Sequence, residues 1–388
     1  MQRHTLLTLD FPPLQDGGIA RWMDELARGL AEAEIPTAVL TRGRKPAALA
    51  HDAAYPVPVT RLYGHGWVQR HRLYLRAYGP FLGRTLAGGV LHGATYSMLA
   101  PLLSRARGLG ATTLCYVHGL ELVRAAGVER ELLAQTLGGA DLVVANSARV
   151  ARLAAERGAR PEALLVLAPA IDPARIAPVG PDLRARWEVG DRPLILSLGR
   201  LVARKGQDTV LRALPELLRK LPNLIYVIAG KGSDQARLEA LAGELGVTPN
   251  VRFVGFVPEG DLAAAYRSAD VYAMIAREGD DDLEGFGMTY LEANSAARPV
   301  VGGRSGGTED AIVDGTTGLL VDPIDPRETT AALLALLGDP ERRRAIGAAG
   351  RRRVESEMSR RSMVKALLSR LEQRAVAPRR PSGSPPRA

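Results

Sequence analysis

Leu194-Ile195-Leu196-Ser197-Leu198-Gly199-Arg200-Leu201-Val202-Ala203-Arg204-Lys205-Gly206 is the stretch on which the fold turns. Its first five residues are a short apolar run bounded by Gly199, the signature of a strand buried on both faces. A basic loop follows, then a helical segment over Gln207–Lys220 and a second apolar run, Leu224–Ala229. Strand, crossover helix and strand make a unit whose two strands run parallel. Working downstream, the same alternation predicts strands at Val251–Val254, Val271–Met274, Pro299–Val301 and Gly318–Val321, with helices such as Asp234–Leu245 between them. Working upstream, strands are expected at His4–Leu9, Ala38–Thr41, Ala111–Val117, Leu142–Ala145 and Leu164–Leu167, and Leu91 hints at one more. A helix from Ile19 carries Ile19, Trp22, Met23, Leu26 and Leu30 at helical spacing, and Asn146-Ser147 reads as a helix cap. The segment from Pro169 to Arg192 is rich in Pro and Gly and reads as a linker. The expected class is α/β, with two doubly wound domains facing each other across a cleft: residues 1–172 and 193–355, joined by 173–192. A Pro-, Ser- and Arg-rich tail over 375–388 reads as disordered.

Composition narrows the function classes. The 388 residues suffice for two cores. Cys115 is the single cysteine, so no intrachain disulfide forms and a reducing cytoplasm is the expected home. Met1–Asp10 lacks the apolar core of a signal peptide, and no apolar run is long enough to span a bilayer. The balance is basic, 51 Lys and Arg against 42 Asp and Glu. Between Asp52 and Glu121 there is no acidic residue, while Arg61, Arg70, Arg72, Arg76, Arg84, Arg105 and Arg107 fall in that window. Such a window attracts anionic partners: phosphorylated ligands, lipid surfaces or nucleic acid.

Two carboxylates eight positions apart, Glu284 and Glu292, bracket Gly285-Phe286-Gly287 at the start of a helix expected to run to about Ala297. The free N–H groups of that helix end form an anion seat, and glycines let a ligand approach the backbone. Carboxylates on either side would accept hydroxyls, an arrangement suited to a sugar nucleotide; an ordinary solvated helix start would use the same residues. Arg200 and Lys205, at the end of their strand, are placed to clamp a diphosphate, or they form a solvated basic loop. Gly17-Gly18 sits between a first strand and a helix, open to a phosphate or sugar or serving as a plain turn. Gly230-Lys231-Gly232 is a fainter version. His118 ends a strand and points into the expected cleft, as a ligand contact or as a structural histidine. Asp280-Asp281-Asp282 has the composition of a divalent-metal site and also that of a solvated loop. Ser305-Gly306-Gly307-Thr308-Glu309-Asp310 either lines the cleft or caps a helix with Thr308. From Trp67, a stripe of Trp67, His71, Tyr74, Tyr78 and Leu82 with Arg72 and Arg76 opposite suits a lipid interface or a core-facing helix.

Gly199-Arg200-Leu201-Val202 with Lys205-Gly206, Glu284-x7-Glu292 and Gly306-Gly307-Thr308-Glu309 together resemble the retaining GT-B glycosyltransferases of family four, over nearly the whole chain. The resemblance implies two Rossmann-like domains and a last helix, about 356–374, crossing back to the first. It implies that Arg200 and Lys205 bind the donor diphosphate and that Glu284, helped by the backbone of Gly285, Phe286 and Gly287, holds the donor sugar. Glu292 would take the ribose, Gly17 and Gly18 would approach the phosphate, and His118 would contact the sugar near the reacting carbon. No cofactor and no metal are required. Arg204-Lys205-Gly206-Gln207-Asp208 is similar to the phosphatidylinositol-mannoside mannosyltransferases, which use GDP-mannose and a lipid acceptor at a membrane surface. Gly119-Leu120-Glu121 after His118 departs from that group. The expected partners are therefore a nucleotide-sugar donor, a lipid or glycan acceptor and, transiently, an anionic membrane at the cytoplasmic face, but not nucleic acid. A UDP-sugar donor, a GT-B sugar-nucleotide epimerase and a non-catalytic basic binder of membranes or nucleic acid stand as competitors; the paired glutamates argue against the last two.

Overall fold

The computed structural model describes residues 2–14, 17–43, 46–62, 87–94, 100–176, 181 and 183–376. Its frame is two parallel sheets. The first comprises β1 (His4–Leu7), β2 (Thr37–Arg42), β3 (Val59–Leu62), β4 (Val90–Ala94), β5 (Thr112–Val117), β6 (Leu142–Ala145) and β7 (Leu164–Val166), in the order β3-β2-β1-β4-β5-β6-β7. The second comprises β8 (Leu194–Leu198), β9 (Ile225–Ala229), β10 (Val251–Gly255), β11 (Val271–Met274), β12 (Val300–Gly303) and β13 (Gly318–Val321), in the order β10-β9-β8-β11-β12-β13. Their central strands are buried along their full length because helices cover both faces, which is why they read as continuous apolar runs.

Two strands exceed what local sequence announces. β3 carries Arg61 within its short run; the charge is hidden by an ion pair to Asp52 at 2.7 Å, and pairing with β2 completes the strand. β4, signalled by Leu91 alone, is a five-residue central strand because His92 finds partners inside the sheet: His4 Nδ1 at 2.9 Å and the Tyr116 hydroxyl at 2.9 Å.

The helix Gly18–Glu32 turns Trp22, Met23, Leu26 and Leu30 into the core of the first sheet. Met363, Val364 and Leu367 of the helix Arg360–Val376 join the same core, so this helix of the second half's sequence lies on the first half. The strand order reverses at β1/β4 and at β8/β11, where ligands bind in doubly wound sheets. The aromatic stripe from Trp67 to Leu82, Arg70, Arg72, Arg76 and Arg84, and residues 377–388 of the tail lie outside the described residues. Among the described residues, no helix is long and apolar enough to cross a membrane.

Candidate functional site

The C-terminal ends of both sheets border one cleft of about 630 Å³. Gly17, Gly18, His118, Arg200, Lys205, Glu284, Gly285, Phe286, Gly287 and Glu292 all line it.

Glu284 is held by its loop. Its carbonyl accepts the Gly307 N–H at 2.8 Å, so Ser305–Asp310 buttresses the turn from behind and is not itself among the cleft-lining residues. Thr308 is the first residue of the helix Thr308–Ala311, not its cap. Gly285 packs against the other half: a Cβ there would lie 1.9 Å from the His118 carbonyl oxygen. Gly287, at φ +90°, makes the left-handed turn into the helix Met288–Ser295.

The Glu284 carboxylate accepts Lys205 Nζ at 2.6 Å and the Arg204 guanidinium on the same oxygen. Burial alone would raise this carboxyl, but Lys205 and then Arg204 outweigh it and hold its pKa at about 2. Burial in turn pulls the Lys205 ammonium below its ordinary value, against the attraction of Glu284. Lys205 thus both pairs with Glu284 and lines the cleft, while Arg200, at the end of β8, lines it from an exposed position. Asp282 is occupied by cations, with Arg204 Nε at 3.0 Å and Arg124 at 3.5 Å, so this member of the acidic triplet serves as an ion-pair relay. Among the described residues, no group of three or more His, Cys, Asp or Glu is arranged to hold a metal ion.

Glu292, one turn into the helix, is 3% exposed. One of its oxygens accepts Arg21 Nη1 at 2.5 Å, and the other accepts the Tyr266 hydroxyl at 2.5 Å. Gly18 faces open space, since a Cβ there would meet nothing closer than the Met288 methyl at 4.0 Å. The His118 ring stands edge-on to Trp22 at 5.0 Å, and burial lowers its pKa, so it is neutral at physiological pH. Its Nε2 has no hydrogen-bond partner among the described residues. Its backbone N–H donates to Glu121 Oε1 at 2.5 Å, and its carbonyl accepts Asn146 Nδ2 at 3.3 Å. Ser147, not Asn146, is the N-cap of the helix Ala148–Glu156, and Asn146 lines the cleft.

Arg204, Arg21, Asn146 and Glu121 were not legible as site residues. Arg204 adjoins Lys205, which was a usable signal. Arg21 meets Glu292 across 271 positions of chain, and no local pattern announces such a pair.

Comparison with known proteins adds to this geometry. Residues 181–353 match the family Glycosyl transferases group 1, and residues 16–175 match Glycosyltransferase Family 4. The chain is 40% identical over 266 residues to the GDP-mannose-dependent alpha-(1-6)-phosphatidylinositol monomannoside mannosyltransferase of Mycolicibacterium smegmatis, covering 66% of this chain and 69% of that one. It is 33% identical over 371 residues to the protein of the same name from Mycobacterium tuberculosis, covering 92% and 94%. Among solved structures, Anabaena Alr3699/HepE in complex with UDP and glucose aligns with a TM-score of 0.78 at 17% identity, over 96% of this chain and 100% of that one, a likeness of fold.

Proposed function

Because this chain belongs to the group 1, family 4 glycosyltransferases of GT-B fold, we propose that it transfers mannose from GDP-mannose to a hydroxyl of a phosphoinositide glycolipid, with retention of anomeric configuration. The observation that carries this reading is Glu284, held ionised by Lys205 and Arg204 at a helix entrance and facing the same cleft as Glu292. Glu284 accepts hydroxyls of the donor sugar, and the backbone of Gly285, Phe286 and Gly287 lies against it. Glu292 accepts the ribose diol. Arg200 and Lys205 offset the charge that develops on the departing diphosphate, so transfer needs no divalent metal. The bond from the sugar's anomeric carbon to the diphosphate breaks, and the acceptor oxygen bonds to that carbon from the same face. The acceptor proton passes to the leaving phosphate. Gly17 and Gly18 leave room for the phosphates, and neutral His118 bonds the sugar beside the reacting carbon.

Mannose and the glycolipid acceptor draw support from the two mannosyltransferase relatives. The acid-free window between Asp52 and Glu121 supports action at an anionic membrane, from the cytoplasmic side. The test presents GDP-mannose, UDP-glucose, UDP-N-acetylglucosamine and ADP-glucose separately, with and without EDTA. Melting temperature is read for each, together with sugar transfer to phosphatidylinositol monomannoside in vesicles. GDP-mannose should give the largest melting shift, lost in Lys205→Ala, and an α-linked product insensitive to EDTA. A preference for a UDP-sugar would replace the donor, and no response to any donor would remove the sugar-nucleotide reading.

A further inference from the structure

Arg21 reaches across the cleft. It lies in the first turn of the helix Gly18–Glu32, on the first half of the chain, yet both ends of its guanidinium are bound to the second half. Nη1 donates to Glu292 at 2.5 Å, and Nη2 donates to Glu259 at 3.2 Å. Glu259 is itself paired with Arg175 of the connecting segment. Arg21, Glu259 and Glu292 all line the cleft. The Arg21 side chain is 17% exposed and that of Glu292 4%, so little water screens the pair.

The electron count at Glu292 decides what Arg21 does there. An ionised carboxylate offers about four lone-pair sites over two oxygens. Arg21 uses one on Oε1 and Tyr266 uses one on Oε2. Each oxygen keeps a second site, and a vicinal diol presents two O–H donors to such a pair. Arg21 therefore does not consume the acceptor capacity of Glu292. Together with Tyr266 it fixes the plane of the buried carboxylate. Arg21 can do so only while the two halves stand close, because it is anchored on one and bonded to the other.

We propose that Arg21 is a positioning residue for the nucleotide: it orients Glu292 toward the ribose diol and thereby makes ribose recognition depend on the cleft being closed. This rests on the donor-site reading given above, in which Glu292 takes the ribose.

The test pairs GDP with 2′,3′-dideoxy-GDP, and in parallel UDP with 2′,3′-dideoxy-UDP, in calorimetric titrations of the full chain. The wild type should bind the preferred intact nucleotide about tenfold or more tightly than its dideoxy form, the effect of hydrogen bonds to a charged group. In Arg21→Ala the intact nucleotide should weaken and that ratio should fall to about two- to threefold, because the carboxylate is no longer held for the diol. Arg21→Lys, which keeps one ion pair, should give an intermediate ratio and guards against a folding defect in the alanine variant. Donor KM should rise in Arg21→Ala with kcat at saturation nearly unchanged. An unchanged ratio overturns the proposal. Tighter binding of the intact nucleotide by Arg21→Ala also overturns it, since Arg21 would then obstruct the ribose. A wild type that binds both nucleotides well but without regard to the ribose hydroxyls removes the inference and the ribose role of Glu292, and leaves the nucleotide-sugar reading in place. A wild type with no affinity for either nucleotide removes the donor-site reading itself.

Discussion

Glu284 is the residue whose surroundings say most. A buried carboxylate is costly unless paired, and this one has two cations on a single oxygen. Glu284→Gln keeps the shape, removes the charge, takes the paired carboxylate from Lys205 and leaves Arg204 with Asp282 alone. We expect transfer to fall about a hundredfold or more, through loss of sugar positioning. Steady-state kinetics beside a melting curve would separate this from unfolding. Its folded pKa of about 2 lies below the ordinary 4.5. The stabilisation from its pairing is therefore present above about pH 4.5 and is lost as pH falls toward about 2. Arg204→Met removes one cation, so the acid limb of donor binding should move to higher pH. A limb that stays in place would mean that Lys205 alone sets the charge of Glu284.

At the scale of elements, β1, β4 and β5 are tied by a buried chain from His4 through His92 to Tyr116. Burial lowers His4 from 6.5 to about 4 and puts His92 well below its ordinary value. Both are neutral when folded, so between those limits the unfolded chain binds more protons. Stability of the first half should be full above about pH 6.5 and decline toward pH 4, by up to about 3 kcal/mol for His4. Urea unfolding at several pH values should show this decline, and His4→Gln should flatten it. The last helix has its own anchor. Arg360 pairs with Glu25 at 2.5 Å, Glu32 at 2.7 Å and Asp172 at 2.8 Å. Burial raises the Glu25 carboxyl, opposed by Arg360, so Arg360→Ala leaves a buried charge without its partner. A loss of about 3 kcal/mol is expected, read as a lower melting temperature and earlier proteolysis of the C-terminal segment. A change within error would show that apolar packing of Met363, Val364 and Leu367 alone holds the helix.

Across the whole molecule, the two halves meet through a few polar contacts around the cleft. Arg149 grips Glu278 with two nitrogens, at 2.6 and 3.3 Å. Asp310 of the second half accepts the Ala148 N–H at 3.1 Å, at the start of a helix in the first half. Leu283 is buried in the first half's core although it belongs to the loop that carries Glu284. Closure and the Glu284 turn are thus one structure. Reversing the rim pair tests this. Arg149→Glu should raise the KM for donor several-fold, and adding Glu278→Arg should restore it, as expected for a partly exposed pair of roughly 1 kcal/mol. Equal defects in the single and double variants would show that the pair does not contribute to closure.

Much of this was already legible along the chain. Apolar runs alternating with helical periods identified the parallel α/β class, because strands buried on both faces leave a local mark at a spacing of a few residues. The Gly-Phe-Gly turn between Glu284 and Glu292, and Arg200 with Lys205, could be read for the same reason: each is a cluster of chemistry within one loop. What needed the tertiary structure is every partnership across the chain. Arg61 could lie in a strand only because Asp52 reaches it, and Val90–Ala94 could be central only because His4 and Tyr116 receive His92. Arg204 on Glu284, Asp282 between two arginines and Arg21 on Glu292 join residues about 80 to 270 positions apart. Local sequence sets which groups are available. Their charge states and partners are set by burial and distance, which exist only once each half has folded and, for Arg21 on Glu292 and Arg124 on Asp282, once the halves stand together.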